Sequence, residues 1–203
     1  RPDIEKIIKL NPDLVISTGL VQEKTTEKLM QLGIPVLELY INSFEEMFSA
    51  FDILGTITNT SNNTNLKKDN LKQRLNSIRL NQMKKSLKVL AIIWWDPLMV
   101  VGRDTILDSV LKEMNFKNIA SGYISGYSKI NIEVILQENP DILLFVGVNN
   151  IDEIMNELKR SEIWSQVNAV KKEKIVVDIN PDLLLRASPR LLDGMEELNR
   201  RLE

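Results

Sequence analysis

Residues 4–16 read IEKIIKLNPDLVI and residues 132–144 read IEVILQENPDILL. Set against each other 128 residues apart, the two stretches agree at six positions and swap one aliphatic residue for another at four more. Each copy reads as a short helix, a break at Asn-Pro-Asp and an aliphatic strand. Pro12 and Pro140 cannot continue a helix, and the residue before each is pushed toward extended backbone. The strand runs LVIST and ILLFV are short and continuously apolar, as parallel strands covered on both faces should be. The matched order of helix, break and strand points to a duplication rather than to a chance likeness of two amphipathic helices. On both helices the isoleucines and leucines (Ile4, Ile7, Ile8; Ile132, Ile135, Leu136) form a stripe expected to be buried.

The same style continues outward from each copy. In the first half a helix over 21–32 leads through Gly33 to a strand at 35–39, then to a helix from Ser43 to Leu54. Ser43 with Glu46 three residues on is a capping-box pattern. In the second half a strand at 87–95 precedes a helix capped by Asp104 or Thr105 and ending near Met114. A helix over 151–160, a strand over 174–179 and a terminal helix after Pro189 follow. Alternating strands and helices predict parallel sheets. Between the halves, 59–65 (NTSNNTN) reads as a polar loop. After it comes a helix with one narrow apolar stripe of Leu71, Leu75 and Ile78. Residues 65–88 carry eight basic side chains and one acidic one. That run fits either an anionic partner or the solvated face of a rigid strut, and the single stripe favours the strut. The expected organisation is an N-terminal lobe over 1–62, a linking helix over 63–86 and a C-terminal lobe over 87–203.

Composition narrows the chemistry. The 203 residues are 43% hydrophobic and 27% charged, with net charge −2, which gives no reason to expect nucleic acid as a partner. Cysteine and histidine are both absent. Thiolate nucleophiles, disulfides, zinc fingers, iron–sulfur clusters and every histidine-based catalytic arrangement are therefore excluded. No glycine-rich phosphate loop follows the first strand.

Several segments in order resemble the ABC-importer solute-binding proteins for vitamin B12, ferric siderophores and haem. They are IEKIIKLNPDLVIST, WWDPLMVVGRDTILDSVL, YSKINIEVILQENPDILL, IWSQVNAVKKEKIVV and RASPRLLDGMEEL, and together they span nearly the whole chain. The resemblance implies an α/β fold of two Rossmann-like lobes with parallel sheets joined by a single long helix, with ligand held in the cleft between them. It implies a monomeric, non-enzymatic protein without a cofactor or resident metal. Such a protein captures a metal chelate (a ferric siderophore or cobalamin) and delivers it to a membrane permease. It would work in a periplasm or be lipid-anchored at the outer face of the cytoplasmic membrane. A haem-binding member of the family is the alternative; a chelatase-like enzyme on a related fold and a cytosolic sensor are more distant readings. Family members carry a further strand–helix–strand unit before the position of Arg1. With only two strands in residues 1–58, the first lobe is expected to be truncated at its N-terminus or completed by another segment.

The resemblance also nominates residues. Glu5 and Glu133 hold the same place in the two repeats, where a matched pair docks onto permease arginines; read alone, each is a solvated carboxylate favoured in a first helical turn. Asp182 and Arg186 fall at the cleft rim, although four residues apart they could simply pair with each other. Tyr127 falls where a cleft aromatic lies, within the loop-like SGYISGYSK. Trp94 and Trp95 end a strand, where open α/β sheets bind ligands. Alternation puts them on opposite faces, with Trp95 chosen for the cleft and Trp94 for the core. Met99 matches an apolar cleft position, and Thr18 and Gly19 are the equivalents at the first strand end.

Overall fold

The computed structural model describes residues 2–18, 23–80 and 86–202. Two compact units emerge, residues 1–41 and 42–203. The smaller contains α1 (Ile4–Lys9), β1 (Val15–Ser17), α2 (Glu23–Gln31) and β2 (Val36–Glu38). β1 and β2 pair in parallel, Val15 opposite Val36 and Ser17 opposite Glu38. α2 buries Thr26 and Leu29, while Met30 and Leu32 remain more than half exposed. α1 has no buried residue at all. The stripe expected on it is therefore not buried, and Ile8 is 43% exposed. A two-stranded sheet has too few neighbouring elements to cover a second helix.

The larger unit begins with α3 (Phe44–Ile57) and α4 (Ser61–Leu80), continues through β3 (Lys88–Trp94), β4 (Met99–Val101), α5 (Ile106–Glu113), β5 (Lys117–Asn118), β6 (Tyr127–Lys129), α6 (Ile132–Glu138), β7 (Ile142–Val146), α7 (Ile151–Arg160), α8 (Asn168–Lys171) and β8 (Ile175–Ile179), and closes with α9 (Leu191–Leu202). Its strands form one sheet in the order β6-β4-β3-β7-β8, with β5 added beside β3. β3, β7 and β8 run parallel, but β4 runs antiparallel to both β3 and β6. The sheet is thus mixed rather than wholly parallel, because the chain turns straight back after Trp94 instead of crossing over through a helix. β7 lies between β3 and β8, and all five of its residues are buried.

Helix starts follow the sequence signals. Ser43 Oγ accepts from the Glu46 N–H at 3.1 Å, and the Glu46 carboxylate reaches back to the Asn42 N–H at 2.6 Å. Of the two candidate caps for α5, Thr105 serves, accepting from the Asp108 N–H at 3.2 Å. The polar stretch 59–65 is not a loop, since α4 already begins at Ser61. Asn59 ends α3 at φ 53°, and the Thr60 N–H bonds the Gly55 carbonyl at 2.8 Å, so a short turn suffices. α3 and α4 then come so close that a Cβ on Gly55 would collide with the Thr64 side chain. Leu71, Leu75 and Ile78 are the buried residues of α4, as their spacing predicts. Arg74 ties the same helix to α9 by bonds of 2.8 Å to both Asp193 and Glu196. α3 therefore groups with the larger unit, not with residues 1–41 as a boundary near 62 anticipates. Of the helix expected over 63–86, residues 81–85 lie outside the described part.

Both repeat copies place an asparagine before the proline, and both asparagines adopt the left-handed region, Asn11 at φ 45° and Asn139 at φ 48°. The extended backbone expected there is not what forms. Asparagine tolerates the left-handed region well, and that conformation ends a helix efficiently.

Candidate functional site

Parallel pairing brings the carboxyl ends of β3, β7 and β8 to one edge of the larger sheet. β6, antiparallel to β4, ends at the same edge. This edge is where open α/β sheets hold ligands. It carries Trp94–Asp96 after β3, Asn149 and Asn150 after β7, and Asp182 and Arg186 after β8. Gly147 lets the β7 end turn at φ 71°, and a Cβ there would lie 3.2 Å from Pro181. The loops after β7 and β8 are thus held against each other.

A cavity of about 380 Å³ opens here, lined by Trp94, Trp95, Asp96, Asn149, Asn150 and Glu153 among others. Both tryptophans line it, and Trp94, expected in the core, is the more exposed of the two. Trp95 is half-buried, its ring centroid 5.9 Å from Phe145 and 5.3 Å from Trp164, and its Nε1 donates to Glu157 at 2.8 Å. Trp94 is 52% exposed and donates to the Asp96 carbonyl at 2.7 Å. A register shift between Ile92 and Trp94 interrupts strict alternation, so face assignment by counting fails at this strand end. Trp95 forms the fixed wall, and Trp94 offers an accessible ring. Met99 pairs with Trp94 on one side and Lys129 on the other, half-buried between them.

Tyr127 is not in a loop: it is the first residue of β6, opposite Val101, and 43% exposed. It sits a step back from the strand ends. Desolvation pushes its phenol above the usual tyrosine range, so at neutral pH it is a protonated hydroxyl. Asp182 and Arg186 pair with each other at 2.7 Å and stay well exposed. Asn180 caps the single 3-10 turn carrying Asp182 by accepting from its N–H at 2.9 Å. Glu133 is exposed in the first turn of α6, where Asn131 caps the helix through the Glu133 N–H. In the smaller unit Glu5 is likewise exposed in the first turn of α1, and Thr18 is exposed at the β1 end. Gly19 lies outside the described residues. Asn149, Asn150 and Glu153 escape sequence reasoning, although the strand-end rule that selects Trp95 and its neighbour Asp96 applies equally to the residues after ILLFV.

Among the described residues, no group of three acidic side chains is placed to hold a metal ion, and no helix is long and apolar enough to cross a membrane. The arrangement offers aromatic faces, amides and carboxylates to a ligand.

The sequence profile described as Periplasmic binding protein matches residues 1–182. The chain belongs to that family. Within it, the chain is 28% identical over 206 residues to the uncharacterized ABC transporter substrate-binding lipoprotein YvrC of Bacillus subtilis, covering 97% of this chain and 63% of that protein. It is 27% identical over 193 residues to the iron-uptake system-binding protein of the same organism, covering 88% and 58%. The chain therefore spans about 60% of the length of these curated relatives. Its fold matches the crystal structure of a possible iron-binding (periplasmic solute-binding) protein from Staphylococcus epidermidis, with a TM-score of 0.84 at 23% identity, covering all of this chain and 80% of that one. The mixed α/β architecture is that of this periplasmic binding protein.

Proposed function

We propose that the protein is the solute-binding component of an ABC importer and captures a ferric chelate at the carboxyl ends of its strands. The observation that carries this is the aromatic and amide-lined cavity at the β3–β7 edge, in a chain that belongs to the periplasmic binding protein family. A flat ring (Trp94) on a fixed aromatic wall (Trp95, Phe145, Trp164) suits the apolar faces of a large chelate. Asp182, Arg186 and the two asparagines suit its polar rim. Iron stands in the names of a relative and of a solved structure that the chain resembles. In this reading Thr18 of the smaller unit and Tyr127 of the larger are each assigned to ligand binding. The protein performs no chemistry on its ligand, acts as a monomer, and works outside the cytoplasmic membrane, free or lipid-anchored.

Glu5 and Glu133 are assigned to docking on the permease. Both are exposed first-turn carboxylates at matched positions of the repeat. Charge reversal there should leave the fold intact, yet set like charges against permease arginines. The test is iron uptake in cells lacking the native protein and carrying either wild type or Glu5→Arg with Glu133→Arg. Uptake should be lost in the double variant while the purified variant still binds chelate. Normal uptake by the double variant refutes the docking assignment, and loss of chelate binding shows that the carboxylates belong to the ligand site instead.

A further inference from the structure

The smaller unit holds a feature that neither its fold nor the cavity at the other strand edge explains. Glu38 is the last residue of β2, in register with Ser17 at the end of β1, so the two side chains project from the same face of the pair. The Tyr40 hydroxyl donates to Glu38 Oε2 at 3.4 Å, a long bond. Glu38 Oε1 is buried and, among the described residues, accepts no hydrogen bond. Buried carboxylate oxygens without a donor are rare in native proteins, because a charged acceptor taken from water and left unpaired is strongly unfavourable. Such a group persists where an incoming donor completes it. The surroundings fit that role: this is the carboxyl edge of a parallel pair, the exposed Thr18 hydroxyl follows Ser17, and the Tyr40 ring is half exposed.

We propose that Glu38, flanked by Tyr40 and Thr18, is a ligand-binding residue of the smaller unit that selects chelates bearing a hydrogen-bond donor or cationic group, an ammonium above all. The proposal rests on the chelate-binding reading and sharpens it to a ligand class. The cavity of the larger unit has the same polarity independently, since Asp96 and Glu153 line it beside two amides and no cationic side chain is among its lining residues. A polyanionic chelate, with carboxylates at its periphery, would meet like charge at Glu38. An ammonium is the donor that pairs most strongly with the Glu38 carboxylate.

The test is calorimetric titration of the protein with four probes: a ferric trihydroxamate carrying a free ammonium, the same chelate with its amine acetylated, ferric citrate and hemin. The ammonium form should bind at least tenfold more tightly than the acetylated form, and both more tightly than ferric citrate. Glu38→Gln should erase the preference for the ammonium form, and Tyr40→Phe should leave most of it. Neutralising a carboxylate that has one buried oxygen without a donor should also keep or raise the melting temperature of the unliganded protein, which loss of a purely structural residue would not do. If the wild type binds chelates but Glu38→Gln changes every affinity less than twofold, or if ferric citrate binds most tightly, the Glu38 assignment is overturned and chelate capture stands. If no probe binds, chelate capture itself fails and this inference with it.

Discussion

The two copies of the repeat share a local sequence and meet very different fates. In each, a side chain caps a short helix, an asparagine in the left-handed region ends it, and a proline turns the chain into a strand. In the second copy that strand is β7, flanked on both sides and wholly buried. In the first it is β1, paired among the described residues with β2 alone, with Leu14 at 38% and Ile16 at 49% exposure. Leu10, 79% exposed at the end of α1, matches Glu138, which receives the Tyr123 hydroxyl at 3.0 Å and faces Lys88 and Lys117. Local backbone is thus set by local sequence, whereas burial is set by which neighbours exist.

The largest expected difference lies between Leu144 and its counterpart Ile16. Leu144→Ala should cost ~2–5 kcal/mol, because it opens a cavity in a sheet with no room to collapse. Ile16→Ala should cost under ~1 kcal/mol, its side chain being half in water already. Denaturant titration of both variants gives the comparison, and equal losses would break it. A smaller contrast lies at the two aspartates of the Asn-Pro-Asp turns. Asp141 accepts from the Lys88 N–H at 3.1 Å, so Asp141→Ala should cost ~1 kcal/mol, against almost nothing at the exposed Asp13.

The smallest effect is in pH dependence. The Tyr123 hydroxyl first, then Lys117 and Lys88, hold the Glu138 carboxyl below the usual glutamate range. A folded-state value below the unfolded one contributes stability that is present above the unfolded value, ~4.3, and is lost as pH falls through the folded value. Glu138→Gln should therefore flatten the fall of stability below about pH 4.3 and leave it unchanged near neutrality. Unaltered acid sensitivity would place the acid-labile contacts elsewhere.

Much of this was legible in residue order. The repeat, the Ser43–Glu46 capping box, the Thr105 cap and the α4 stripe all follow from local rules. What the sequence hid depends on distant partners. The α1 stripe looks buried until its neighbours are counted, and the 59–65 run looks like a loop until Gly55 admits Thr64. Trp95 looks accessible until Phe145 and Trp164 close on it. Tyr127 looks like a loop residue until β4 supplies a strand to pair with. Glu38 carried no signal at all, since an acidic residue at a strand end is unremarkable without knowing that one of its oxygens is buried.

Capture of a ferric chelate at the strand ends is the central claim, and Trp94 makes it directly measurable. Titrating the protein with ferric hydroxamate, ferric citrate and hemin while following tryptophan fluorescence should give saturable quenching by at least one chelate, at one chelate per chain. The quenching amplitude should fall markedly in Trp94→Phe, the most exposed ring of the site. Linear, unsaturable quenching by every chelate, or a saturable signal unchanged by Trp94→Phe, would contradict the account.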